Sequence, residues 1–108
     1  MQNFRNLPVD HAQALSQLIT IQPGRVVSMA LSRNNHCQMT LLAFAHGESV
    51  SEECYFGDTF YYVLEGEMPL QCGETAHTLH AGDCIAVPAN TLHAIGGSSP
   101  FKLLQITV

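Results

Sequence analysis

Six histidines, four cysteines and nine carboxylates are the side chains of this 108-residue sequence able to ligate a metal or move a proton. One of them, His93, closes a stretch with strong local structure, running Gly82-Asp83-Cys84-Ile85-Ala86-Val87-Pro88-Ala89-Asn90-Thr91-Leu92-His93. Gly82-Asp83 makes a turn, and residues 84–87 are small or branched apolar residues that read as a short buried strand. Pro88 ends it, because proline has no N–H for a ladder. Asn90 tolerates the left-handed conformation, so Pro-Ala-Asn reverses the chain. His93 is thus delivered on the next strand, 92–95, after a stiff turn. An imidazole so placed suits metal ligation or general-base work.

Carboxylate partners for such an imidazole are concentrated in the same part of the chain. Arg5, Arg25, Arg33 and Lys102 are the only basic residues, so residues 34–101 hold none, while eight of the nine acids lie there. Nucleic-acid binding needs a basic footprint, and this sequence has none. A strongly anionic substrate likewise finds no cation there. Cys37, Cys54, Cys72 and Cys84 form no CxxC pair and no zinc-knuckle spacing. Free thiols in a reducing cytosol are the expectation, with no secretory leader in the polar, Pro8-broken first ten residues. No apolar run reaches the ~20 residues of a membrane span.

The elements that position these groups read as strands. With 46 % hydrophobic and only 12 % charged residues, the chain must bury much of itself in one domain. Residues 1–9 form an arm. Ala12, Leu15, Leu18 and Ile19 recur at helical spacing, which predicts a short helix over about 10–19 with Asp10 at its N-cap. Beyond Gln22-Pro23-Gly24 the period is that of strands, over 25–31, 37–45, around Val50, 60–64, 68–71, 75–80, 84–87, 92–95 and 101–108. Glu65-Gly66-Glu67 reads as a tight hairpin between two of them. Nine short strands with turn signals every ~8–12 residues predict an all-β sandwich or barrel.

Two glycine-punctuated blocks, 47–66 and 82–93, frame this pattern, and together they resemble the paired motifs of the cupin superfamily. In the second motif Gly82, Pro88 and His93 stand in register, with Asn90 at a position usually held by glycine. In the first, Gly47 and Gly66 match, and Tyr62-Val63-Leu64-Glu65-Gly66 is similar to the usual end of the motif. The metal-binding part of that first motif is degenerate. Its two histidine positions fall on Glu53 and Tyr55, and its glutamate position on Thr59 beside Asp58. The resemblance spans residues 36–108. It implies a double-stranded β-helix, the jelly-roll barrel, preceded by residues 1–35 as an arm, short helix and first strand.

The resemblance further implies a pocket inside the barrel, with His93, Glu53, Tyr55, Phe60, Tyr62, Met39 and Leu41 as candidate lining residues. A divalent metal is the candidate cofactor, held weakly by Glu53 and His93, with Cys54 and His77 as further candidate ligands. The expected function is binding of a small molecule. The alternative is a metal-dependent enzyme of dioxygenase, isomerase or decarboxylase type. A metal-free acid–base enzyme, with His93 as base, a tyrosine as acid and Glu53 as partner, ranks behind both. A homodimer is expected, because strand 25–31 is apolar on both faces and lies outside the minimal barrel.

Overall fold

The structure, a computed structural model, describes residues 2–108. Eight strands carry it: β1 Val26–Arg33, β2 Gln38–Phe44, β3 Ser49–Glu53, β4 Thr59–Cys72, β5 Thr75–His80, β6 Cys84–Val87, β7 His93–Gly96 and β8 Phe101–Thr107. Every pairing is antiparallel, in the order β1-β2-β8-β4-β7-β3, with β5 and β6 also on β4. The fold is the expected all-β jelly-roll barrel.

The expected hairpin at Glu65-Gly66-Glu67 is not a turn. β4 runs through it without reversing, and its two halves belong to the two walls of the barrel. Residues Thr59 to Gly66 pair with β8 and the first four also with β6, whereas Glu67 to Cys72 pair with β5. A register shift between Val63 and Glu65 marks the crossing. Gly66 sits there at φ 80°, and a Cβ at this position would lie 2.3 Å from the Pro100 carbonyl oxygen. The glycine that reads as a turn is therefore a bulge that lets one strand serve both sheets.

Side chains on successive strand residues point to opposite faces. On β2, Phe44 joins the barrel core, where its ring stacks on Phe101 at 4.5 Å, while Leu41 and Ala43 belong to a second cluster on the outside. On β8, Phe101 and Leu103 point inward and Leu104 outward. The outer cluster is covered by the arm, whose Leu7, Leu15, Leu18 and Ile19 pack on Leu31, Leu41 and Ala43. Residues of the same chain thus pack on the outward face of β1, where Leu31 is buried and Val27 and Met29 stay half-buried.

The expected helix over 10–19 reduces to one 3-10 turn, Leu15–Gln17. Ala14 before it is extended and makes no side-chain cap. Asp10, the expected cap, instead binds His11 Nδ1 at 2.8 Å. A lone helix this short is marginal without help. Here the apolar residues gain more by spreading over the sheet than by following a helical stripe. Lys102 fixes the turn: its Nζ reaches outward from β8 and donates to the Ser16 carbonyl at 2.8 Å.

Candidate functional site

β3 and β7 pair so that Glu53 lies opposite His93. Residues opposite each other in an antiparallel pair share a face, and here the face is the barrel interior. The turn after β6 supports the arrangement. Asn90 adopts φ 62°, and its backbone N–H donates to the Tyr55 carbonyl at 2.7 Å. Thr91, the next residue, offers its carbonyl to His93 Nδ1 at 2.9 Å.

That carbonyl can only accept, so Nδ1 carries the hydrogen and Nε2 of the neutral ring presents a lone pair. Tyr61 takes it. Its hydroxyl lies 2.7 Å from Nε2, and the two rings meet edge to face with centroids 5.6 Å apart. His93 is only 4 % exposed and Tyr61 1 %. Beside them the Tyr55 ring stands 6.1 Å from the His93 ring, and the Tyr55 hydroxyl donates to the Glu53 carboxylate.

Both tyrosines are held in their protonated form. Burial, and after it the Glu53 carboxylate, push the Tyr55 hydroxyl up to about 12, with Gln105 opposing in part. Burial also pushes Tyr61 up, with the neighbouring Tyr55 and Glu53 adding to it. A tyrosine whose ionisation is raised on folding must be protonated more firmly in the native state than in the unfolded chain. Its contribution to stability is therefore complete below about pH 10, the ordinary tyrosine value, and is lost as the pH rises towards and past 12. Tyrosinate absorbance near 295 nm should show late titration that coincides with alkaline unfolding. An ordinary titration of all tyrosines near pH 10 in the folded protein would contradict this packing.

The interior beyond Tyr55 holds a cavity of about 180 Å³, lined by Thr40, Leu42, Val50, Glu53, Tyr55, Ile95 and Gln105. Of the residues expected to line a pocket, Glu53 and Tyr55 line this cavity, whereas His93, buried against Tyr61, lines a separate hollow of about 210 Å³ with Gln71 and Leu92. Met39 and Leu41 do not. They face outward into the cluster beneath the arm, and the inward residues of β2 are Thr40 and Leu42, one position along. Phe60 and Tyr62 are also on the other face: β4 buries Thr59, Tyr61 and Val63, and Phe60 is 37 % exposed. In both strands a one-residue slip exchanges the faces.

Tyr61, Thr40 and Gln105 are the polar site residues not singled out from the sequence, and Leu42, Val50 and Ile95 the apolar ones. The signal for Tyr61 was present in the Thr59-x-Tyr61-x-Val63 alternation, but Phe60, Tyr62 and Leu64 supply an equally apolar alternative. Nothing distinguished the two until the pairing was known.

The donors do not fit a divalent metal, which wants three or more protein ligands. His93 Nε2 is occupied by Tyr61, and Glu53 by Tyr55. Cys54 is exposed in the loop after β3. His77 is exposed on β5, opposite Leu70. Asp58 accepts from the Ala89 N–H at 2.9 Å. Among the described residues no three His, Cys, Asp or Glu side chains are grouped to hold an ion.

Comparison with known proteins agrees with this geometry. The family model described as "Cupin domain" matches residues 40–107. A cupin superfamily protein from Desulfitobacterium hafniense is 44 % identical, with 97 % of this chain and 96 % of that one aligned at a TM-score of 0.94. A cupin 2 conserved barrel domain protein from Leptotrichia buccalis is 30 % identical at TM-score 0.84, over 87 % of this chain and 46 % of that one. A conserved protein of unknown function from Streptococcus pyogenes shares the fold, with a TM-score of 0.94 at 20 % identity over 100 % of this chain and 95 % of that one. No curated protein matches the sequence. With the family model spanning more than half of it and a close structural relative over nearly its whole length, this chain belongs to the cupin superfamily.

Proposed function

We propose that this protein binds a small organic molecule in the barrel cavity, through hydrogen bonds to Glu53, Tyr55, Gln105 and Thr40 and apolar contact with Leu42, Val50 and Ile95. The observation that carries this reading is the lining itself. Polar groups from three strands and the loop after β3 converge on one hollow whose remaining wall is aliphatic, the usual make-up of a ligand site. The metal-dependent alternative lacks support from the donor set, since its two best ligands already hold tyrosine hydroxyls. Acid–base catalysis is also poorly served. His93 is not among the residues lining the cavity, and a tyrosine raised to about 12 is a weak proton donor near neutral pH.

A fragment screen by NMR tests the reading. Fragments that bind should shift the amides of Thr40, Tyr55 and Gln105, and Leu42→Phe, which fills the cavity, should abolish those shifts. Shifts confined to the groove around Ala76 and Thr78, or binding indifferent to Leu42→Phe, would count against it.

A further inference from the structure

At about 180 Å³ the cavity is smaller than the about 300–1,000 Å³ of ordinary ligand pockets. A second hollow of about 340 Å³ opens at the adjoining end of the barrel, lined in part by Gln38, Tyr55, Phe56, Thr107 and Val108. The two are consecutive along one face of the sheet. Gln38 and Thr107 are partners across β2 and β8, and Thr40 and Gln105 are the next pair on that face. Successive same-face residues are about 7 Å apart. The first pair lines the outer hollow and the second the inner cavity, while Tyr55 lines both.

Building on the barrel-binding reading, we propose that the two hollows form one channel gated by the Tyr55 side chain, whose occupant is a small organic cation. Its ammonium or amidinium head pairs with Glu53 inside, and its apolar tail lies against Phe56 outside.

Three observations carry this. First, Glu53 is the charged side chain of the inner lining, and no cation opposes it there. Arg5, Arg25 and Arg33 are exposed, and Lys102 points outward to Ser16 and Glu65. Second, the Glu53 carboxylate is occupied by a neutral hydroxyl that stays protonated well above physiological pH. That bond already has an ionised acceptor; an ammonium head adds the attraction of a full opposite charge, which the hydroxyl lacks, and so competes with it for the carboxylate. Third, Phe56 is 97 % exposed beside the outer hollow, and Val108 next to it is 65 % exposed. Together they offer an apolar shelf leading to the gate.

The gate moves as a side chain rather than as a loop. The Tyr55 carbonyl is held by Asn90 N–H at 2.7 Å, and Asp58 and Val108 exchange backbone hydrogen bonds at 3.0 Å. Gly57 is packed so closely that a Cβ would fall 2.2 Å from the Val108 carbonyl oxygen. Only the ring and hydroxyl of Tyr55 are left to swing.

Three phenethyl probes that differ in head-group charge test the proposal at pH 7 by NMR titration of the Thr40 and Gln105 amides: phenethylammonium, 2-phenylethanol and 3-phenylpropionate. The ammonium should bind about ten-fold more tightly than the alcohol, and the propionate most weakly. Glu53→Gln should erase that preference. Tyr55→Phe, which removes the internal donor, should strengthen ammonium binding. Phe56→Ala alters an exposed side chain with little risk to folding and should weaken ammonium binding several-fold. If the alcohol or propionate shifts the same amides at equal or higher affinity, the cation inference falls while the barrel-binding reading stands. If none of the three binds, this inference falls, and the broader reading falls with it only when the fragment screen is also empty. Unchanged affinity in Phe56→Ala overturns the outer half of the channel, and weaker ammonium binding in Tyr55→Phe overturns the gate.

Discussion

Gly66→Ala should destabilise the protein by about 3 kcal/mol or more, a large share of the 5–15 kcal/mol that holds a domain together. Two terms add. A residue with a Cβ at positive φ costs roughly 1–2 kcal/mol. The new methyl must also push away the Pro100 carbonyl oxygen, 2.3 Å from its ideal position, just where β4 crosses between the sheets. Gly73→Ala is the control. Gly73 has φ 60° in the turn between β4 and β5, but nothing lies within 4 Å of its Cβ position. It should show the backbone term alone. Urea unfolding of both variants measures the difference as a shift in midpoint at constant slope. Equal losses in the two would mean that β4 is not pinned at Gly66 and that the strand crossing is looser than described.

His93→Ala should cost about 3–4 kcal/mol, again far above an average substitution. It empties the space of a buried ring, removes an edge-to-face contact with Tyr61 and leaves the Tyr61 hydroxyl without a partner in the core. Tyr61→Phe alone should cost about 1–3 kcal/mol by orphaning Nε2. The double variant should cost less than the sum by about 1 kcal/mol or more, because each single change strands the other group. Additive losses would show that the two side chains do not depend on one another and that the Tyr61 hydroxyl is not bonded to Nε2.

The architecture was legible in the sequence because its signals are local. Turn glycines, the Pro88-Ala89-Asn90 reversal and the placement of His93 after it depend on a few adjacent residues, and Asn90 does take φ 62°. Which face of a strand looks inward is not local. β2 is apolar on both sides, Leu41 and Ala43 being covered by the arm while Leu42 and Phe44 face the barrel. Alternation therefore carries no contrast, and Met39 and Leu41 could not be told from Thr40 and Leu42. β4 poses the same ambiguity with Phe60 and Tyr62 against Tyr61. The arm illustrates a third limit. Leu15, Leu18 and Ile19 sit at helical spacing, yet the sheet they cover and Lys102 beneath Ser16 decide their conformation. Gly66 misled for a different reason: a positive φ marks a bulge as readily as a turn.

Both ring nitrogens of His93 are engaged inside the protein, by Tyr61 and the Thr91 carbonyl, and nitrogen-15 NMR of the imidazole reads this directly. In the neutral folded protein, His93 should show a protonated Nδ1 and a hydrogen-bonded, unprotonated Nε2, unchanged by one equivalent of zinc at micromolar protein concentration. A stoichiometric shift of the Nε2 resonance on adding zinc, abolished in Glu53→Gln, would contradict the account and make the barrel interior a metal centre.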